Sequence, residues 1–372
     1  MKIAILGSRG IPANYGGFET FAEEISTRLV KRGHDVTVYC CSPYSGDRQK
    51  LYKGIKRVIL PTIRNKILEK PLFNLLSLFH VSLTKADVIL MLGVSIAPFC
   101  FIPRIFGIKG ALNIDGLEWQ RKKWGKFVSM YLRFAERMAG ITADRVITDA
   151  LWIKDYYKKT YQRDAVYIPY GADIETRSTN HILKKLDLKP NEYILYVGRF
   201  EPENNALLVR EVFDEIENPS KRLVMVGNAP FSDSYIEQVK NTRNKNIIFT
   251  GNLYGKAYRE LMSHAYFFIQ ASEVGGTHIT LLDAMAAGKC VLANDVPEHR
   301  EVLREAGIYY KNRKELKGKI RYLMDNEDTI HNVKSHATEI IQKEYSWDSI
   351  TDRYERLFHE ITKHIPENTT SG

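Results

Sequence analysis

Short apolar runs alternate with stretches of helical spacing along the whole chain. Lys2–Leu6 is an apolar run of strand length. Phe18, Phe21, Ala22, Ile25 and Leu29 then recur on one face, which predicts a helix over Phe18–Arg32. Gly33 stops it, as glycine does at a left-handed cap. Strands follow at Val36–Cys40, Val58–Leu60, Val88–Leu92 and Ala111–Ile114, then a helix over Phe127–Ala139 and short β-like runs at Val146–Thr148 and Val166–Ile168. The alternation restarts with strand Tyr193–Val197, a helix over Leu207–Ile216, and strands Leu223–Val226, Ile247–Phe249, Tyr266–Ile269, Val291–Ala293 and Ile308–Tyr310. A last helical pattern covers Trp347–His364. Alternating strands and helices predict an α/β chain with two doubly wound parallel sheets.

The polar stretch GADIETRSTN separates the two patterns, so the domains are expected at 1–170 and 171–345, with a C-terminal piece, 346–372. The final PENTTSG is expected to be disordered. No repeat or low-complexity segment is visible. A length of 372 residues fits two domains with full cores. Cys40, Cys41, Cys100 and Cys290 form no CxxC pair, which points to reduced thiols in a cytosolic protein. The longest charge-free run, Val88–Pro103, is shorter than the roughly 20 residues of a membrane-spanning helix. It reads as a strand, a turn and a short helix.

Charge changes the picture. The chain carries 54 Lys and Arg against 44 Asp and Glu, a net +10. Residues 1–170 hold 27 against 14 and residues 171–372 hold 27 against 30, so the excess lies in the first half. That half is the one expected to face an anionic partner: nucleic acid, a membrane or a phosphorylated substrate.

Three strand–glycine–helix units carry candidate chemistry. In GSRGIPANYGGFET, Gly16 and Gly17 stand where a helix offers its free amides to an anion, and Arg9, Asn14, Tyr15 and Glu19 crowd the same loop. The loop is neither GxGxxG nor a Walker loop, which weighs against NAD binding and P-loop hydrolysis. In YVGRFEPENN, Arg199 follows a strand-ending glycine and is placed to grip a pyrophosphate, or else to pair with Glu201 or Glu203. In SEVGGTHITLLDAMAAGK, Gly275, Gly276, Thr277 and His278 lead a helix over Thr280–Ala287. His278 is a candidate phosphate donor or acid/base group, or a polar loop histidine. Asp283 is a candidate acceptor for sugar hydroxyls. In NIDGLEWQRKKWGKF, Asp115 follows a strand end and is the candidate to orient or deprotonate an acceptor hydroxyl, with Glu118 second; the alternative is an N-cap aspartate. Arg121, Lys122, Lys123 and Lys126 beside Trp119 and Trp124 suit a membrane interface; nucleic acid or a solvated basic face are the alternatives.

Together these motifs resemble a GT-B fold glycosyltransferase of the large retaining family 4, over essentially the whole chain. IPYGAD (168–173) is similar to the family's I-P-N-G-V-D, VGRFEPENN to G-R-x-x-x-E-K-G, and GGTHITLLDAMAAGK to E-G-F-G-L-P-x-L-E-A-M-A-x-G. The family's first Glu falls on Gly275, its second becomes Asp283, and its diphosphate-binding Lys falls on Asn204. SRGIPANYGGFET, DGLEWQR, GRFEPENN and VGGT together resemble a bacterial rhamnosyltransferase-like branch, in which V-G-G-T-N-P-S stands where this chain has VGGTHIT. The resemblance implies two Rossmann-like domains facing a cleft, with the C-terminal helix packing back on the first.

It also implies a retaining sugar transfer from a nucleotide diphosphate sugar, dTDP-rhamnose first and UDP- or GDP-sugars second, to a lipid-linked or saccharide acceptor in cell-surface polysaccharide synthesis. Donor binding falls to Gly16, Gly17, Arg199, Asn204, Gly275, Gly276, Thr277 and Asp283. Acceptor binding falls to Arg9, Asn14, Tyr15 and Glu19, and catalysis to Asp115, Glu118 and His278. No Asp-x-Asp occurs, so no metal or cofactor is expected. The protein is expected to be cytoplasmic and peripheral at the inner membrane face through its basic half, without nucleic acid. A nucleotide-sugar epimerase and a non-catalytic basic binding protein are the other classes.

Overall fold

A computed structural model describes residues 1–46, 48–174 and 179–363. The tail PENTTSG and residues 175–178 of the polar stretch lie outside them. The elements run β1 (Lys2–Leu6), α1 (Gly17–Lys31), β2 (Asp35–Cys41), β3 (Leu51–Tyr52), β4 (Ile55–Leu60), α2 (Glu69–Ser82), β5 (Val88–Leu92), α3 (Phe101–Ile105), β6 (Lys109–Asn113), α4 (Lys126–Thr142), β7 (Arg145–Thr148), α5 (Leu151–Tyr161) and β8 (Val166–Tyr167). They continue with α6 (His181–Lys185), β9 (Tyr193–Val197), α7 (Ala206–Asp214), β10 (Arg222–Val226), α8 (Asp233–Lys240), β11 (Ile247–Gly251), α9 (Gly255–His264), β12 (Phe268–Gln270), α10 (Ile279–Ala286) and β13 (Val291–Asn294). The last are α11 (Pro297–Leu303), β14 (Gly307–Tyr310), α12 (Arg313–Asp325), α13 (Glu327–Glu344) and α14 (Trp347–Lys363).

Two compact units result. The first holds Met1–Asp115, Lys126–Pro169 and the segment from Trp347; the second holds Gly116–Gly125 and Tyr170–Ser346. The loop 116–125 thus belongs to the second unit, whereas the sequence pattern assigned it to the first.

The first unit is an eight-stranded sheet in the order β3-β4-β2-β1-β5-β6-β7-β8, parallel except for the β3–β4 hairpin. Its central strands are apolar without alternation, as parallel strands covered on both faces must be. All five residues of Val88–Leu92 are buried. The chain moves one way along the sheet from β1 to β2 and the opposite way from β4 to β5, β6 and β7. Right-handed crossovers therefore put α1 on one face and α2, α3 and α4 on the other. Helix α14 packs beside α1. Its Tyr354 ring lies 5.3 Å from Phe21, Arg32 Nη1 donates to Asp352 at 2.6 Å, and His34 Nε2 meets Glu355 at 2.6 Å.

The second unit is a six-stranded parallel sheet, β11-β10-β9-β12-β13-β14. Phe200, Phe213, Leu223, Met225, Phe267 and Leu292 sit in its core, all fully buried. The four cysteines are buried and free. Among the described residues no helix is long and apolar enough to cross a membrane.

Candidate functional site

In parallel sheets the ligand loops sit at the strand C-termini. In the second unit β9 and β12 are neighbours, so the turn after Val197 and the loop after Gln270 open at the same end of the sheet. Gly116–Gly125 lies against both. Gly116 approaches Gly275 so closely that a Cβ on Gly116 would fall 2.5 Å from the Gly275 carbonyl carbon.

These loops share a dense ion network. Arg121 Nε donates to Glu118 at 2.5 Å, and Arg121 Nη1 lies 3.6 Å from Glu203, whose side chain is completely buried. Lys123 Nζ contacts Glu201 at 3.4 Å, Lys122 Nζ donates to Glu273 at 2.6 Å, and Arg199 Nη2 lies 3.6 Å from Glu201. Burial works against the Glu201 charge, but Arg199, Lys123 and Arg121 outweigh it and hold the carboxyl at about 2. Burial pushes the Lys123 ammonium below its ordinary value, and Glu118 and Glu201 offset only part of that.

Two expectations change here. The basic run at 121–123 is not a bare cationic patch, because each of its charges meets an acid within the unit, while Lys122 and Lys126 stay exposed. Glu118 also accepts from Trp124 Nε1 at 3.2 Å, so it holds the loop together. Arg199 keeps the strand-end position expected for it and pairs with Glu201, while its side chain stays partly exposed. Asn204 donates its Nδ2 to the Arg199 carbonyl at 2.8 Å, which makes it a brace for the turn where the family's lysine would project a charge.

The 272–278 loop carries a histidine pair that spacing alone did not reveal. His299 is buried, and its Nδ1 meets the Asn294 carbonyl at 2.8 Å; a carbonyl only accepts, so Nδ1 carries the proton. Burial pushes His299 down to about 4, so the ring is neutral and Nε2 is a bare acceptor. Ser272 Oγ, 3.2 Å away, donates its one proton there. The same oxygen accepts from Gln270 Nε2 at 2.6 Å, and so also accepts from His278 Nε2 at 3.0 Å. His278 is thereby fixed with Nε2 protonated and Nδ1 as a lone pair. Burial, His299, Arg121 and Arg199 lower its pKa well below the ordinary value. The expected phosphate donor is instead a neutral ring whose N–H is already engaged.

Asp283 sits mid-way along α10, half-buried, and Tyr258 donates to its Oδ2 at 2.8 Å. Gly276 and Thr277 are buried in the loop leading to α10. Glu298, which the sequence reading passed over, opens α11 beside this loop. Burial raises its carboxyl to about 7, although its own amide and that of Gly275 hydrogen-bond the charged form. An acid after a proline at a helix start looks like ordinary dipole complementation, so nothing in the sequence marked it.

In the first unit, Arg9 Nε and Nη2 both donate to Glu69 Oε1, at 2.9 and 2.6 Å, and its guanidinium stacks 3.7 Å from the Tyr15 ring centroid. The Arg9 amide donates to buried Glu19 at 2.7 Å, and Asn14 Nδ2 donates to the Tyr44 carbonyl. Arg9, Asn14, Tyr15 and Glu19 thus lock the loop that ends at Gly16 and Gly17, the residues that open α1. Asp115 lies just past β6 with φ 57°, and its amide donates to Asn113 Oδ1 at 2.9 Å. Asn113 in turn donates to Tyr354 of α14 at 3.1 Å. Asp115 caps no helix: the next helical turn is the 3-10 segment Glu118–Gln120, preceded by Leu117.

Comparison with known proteins fits this architecture. Residues 1–173 match a domain of unknown function, DUF1972, and residues 178–340 match glycosyl transferases group 1. The O-antigen chain mannosyltransferase RfbU of Salmonella typhimurium is 26% identical over 184 residues, 48% of this chain and 50% of that protein. The alpha-monoglucosyldiacylglycerol synthase of Streptococcus pneumoniae is 26% identical over 194 residues, covering 48% and 43%. The matched region is about half the length of these curated relatives. HepE of Anabaena, solved in complex with UDP and glucose, superposes with a TM-score of 0.79 at 16% identity over 97% of this chain and 100% of that one. Sucrose-phosphate synthase of Thermosynechococcus elongatus gives the same TM-score and identity over 97% and 99%. The chain therefore has the GT-B fold of two Rossmann-like domains, and its residues 178–340 match glycosyl transferases group 1.

Proposed function

We propose that the protein transfers a sugar, with retention of configuration, from a nucleotide diphosphate sugar to a saccharide or lipid-linked acceptor in cell-surface polysaccharide synthesis. The supporting observation is the strand-end pair inside the region that matches group 1. Arg199 after β9 and the Gly275–His278 loop before α10 open at one end of the sheet, close enough for the guanidinium to disfavour protonation of His278.

In this reading Arg199 and the loop amides take the diphosphate and stabilise its charge as it leaves. His278 Nδ1 accepts a hydroxyl proton of the donor, and Asp283 takes a further hydroxyl. Asp115 orients the acceptor hydroxyl, held by the Asn113–Tyr354 contact. The enzyme works at the cytoplasmic membrane face, where lipid-linked acceptors are met.

The donor is dTDP-rhamnose on the resemblance of SRGIPANYGGFET, DGLEWQR, GRFEPENN and VGGT. A UDP-sugar is the second reading, favoured by the fold shared with HepE, which binds UDP and glucose. A thermal-shift panel of dTDP, UDP and GDP with their sugars tests both. A ligand at 100 times its Kd adds about 2.7 kcal/mol. Stabilisation by UDP with none by dTDP rejects rhamnose, and stabilisation by no nucleotide rejects the transferase reading.

A further inference from the structure

One face of the first unit is built the wrong way round for water. On α2 and its flanks, Leu68, Leu72, Leu76, Phe79 and Leu83 recur at steps of four, four, three and four, one helical stripe, and all are exposed. Buried Phe73, Ser77, Leu78 and Val81 occupy the opposite side of the helix. Helix α4 repeats the arrangement: Phe127, Met130, Phe134 and Ile141 are exposed, Phe127 at 83%, over buried Leu132, Ala135 and Ala139. Between them α3 and the turn after it expose Phe101, Ile105 and Phe106.

The three helices lie on the same face of the sheet, the one opposite α1 and α14. The 3-10 segment Val94–Phe99 joins them, packing against both α2 and α4. Single exposed apolar residues need no explanation, but a continuous apolar face with a charged rim marks an interaction surface.

The rim names the partner. In segments 61–83, 101–107 and 126–141 the exposed charges include Arg64, Lys66, Arg104, Lys126, Arg133 and Arg137. The only acids in these segments, Glu69 and Glu136, are buried and carry hydrogen bonds from Arg9 and from Tyr156 and Tyr161. A surface that is apolar at its centre and mainly cationic at its edge, where Arg104 meets an acid, Asp144 at 3.3 Å, complements an anionic bilayer, with acyl chains for the leucines and phenylalanines and phosphates for the rim.

We infer that the α2–α3–α4 face of the first unit is the membrane-docking surface and seats the protein on anionic lipid. This deepens the lipid-linked acceptor reading above and rests on it. It also moves the contact away from the 121–123 run.

Cosedimentation of the full chain with phosphatidylcholine vesicles, with and without phosphatidylglycerol, tests it. Wild type is expected to pellet with phosphatidylglycerol vesicles at low salt. Phe127→Ser with Phe134→Ser, and separately Leu72→Ser with Leu76→Ser, are expected to lower the bound fraction at least tenfold, leaving the melting temperature and nucleotide-induced shift unchanged. Arg133→Ser with Arg137→Ser is expected to remove the preference for phosphatidylglycerol. Wild type that ignores these vesicles overturns the inference, as do patch variants that bind like wild type. Patch variants that instead split a dimer in sedimentation velocity assign the face to a second copy and also overturn it. Nucleotide shifts and transfer to a soluble saccharide are read without vesicles, so failure of the docking surface and failure of the transferase reading give different results.

Discussion

The His278 ring fills the space that a side chain on residue 275 would need: a Cβ on Gly275 would lie 2.6 Å from His278 Cε1 and 2.8 Å from Nε2. Glycine at 275 and histidine at 278 therefore form one packing solution. Gly275→Ala is expected to lose about 1–3 kcal/mol through overpacking. Most of that should return in Gly275→Ala with His278→Ala. Urea unfolding of the two single variants and the double variant checks it, and two additive losses would show that the positions do not compete for space.

Glu298 gives the loop a signature in pH. Its carboxyl titrates at about 7 in the folded chain and near 4.3 in the unfolded one. Between those values the folded state keeps a proton that the unfolded state has released, so this group's contribution to stability falls as pH rises. His299, depressed to about 4 against roughly 6.5 when unfolded, acts in the opposite sense. Gln at 298 cannot titrate. Wild-type stability minus that of Glu298→Gln should thus drop by about 1.4 kcal/mol per pH unit from roughly 4.3 to 7 and flatten above. A difference that stays constant over that range rejects the assignment.

Arg121 and Glu203 form a buried pair, with side chains 7% and 0% exposed. Removing one partner of such a pair leaves a stranded charge and costs about 3–5 kcal/mol. Arg121→Met is expected to destabilise by that order, and Glu203→Gln in the same chain to recover much of it. Denaturant midpoints decide. A near-neutral Arg121→Met would place the pair's charge in water.

Arg199→Ala is expected to weaken nucleotide diphosphate binding about tenfold to a hundredfold, the range of a lost charge-assisted hydrogen bond of roughly 1.5–3 kcal/mol. Calorimetry with the nucleotide identified by the thermal panel measures it, with circular dichroism to confirm folding. Equal affinity in a folded variant removes Arg199 from the donor site.

Asp115→Asn is expected to lower turnover about 10²–10⁴-fold while nucleotide affinity holds, as loss of a group that handles the acceptor proton should. A fall in affinity with unchanged turnover would move Asp115 to the donor.

The alternating pattern made most of the architecture legible. Val88–Leu92 and Tyr193–Val197 are strands with the bounds their apolar runs predict, and α1 and α4 differ from expectation by a few residues. Helix α2 was not read from the sequence because its exposed side is apolar while its buried side mixes Phe73, Leu78 and Val81 with Asn74, Ser77 and Ser82, so the usual contrast between a polar outer and an apolar inner face is missing. At the site, strand-ending glycines pointed to Arg199 and the 275–278 loop. The partners Ser272, His299 and Glu298 stayed invisible because they meet His278 and Gly275 only through tertiary packing. The charge of the 121–123 run was legible, but its destination was not, since Glu201, Glu203 and Glu273 lie far along the chain.

Helix α14 covers the α1 side of the first sheet with Trp347, Tyr354 and Phe358, against Phe21 and strands β5 and β6. The first unit is thus begun before the second in the chain and closed after it. The second unit has its own sheet finished before then, so on a growing chain the later unit matures first while the earlier one waits with an oily flank open. A fragment cut at residue 173, where the first family match ends, would carry that exposed flank permanently.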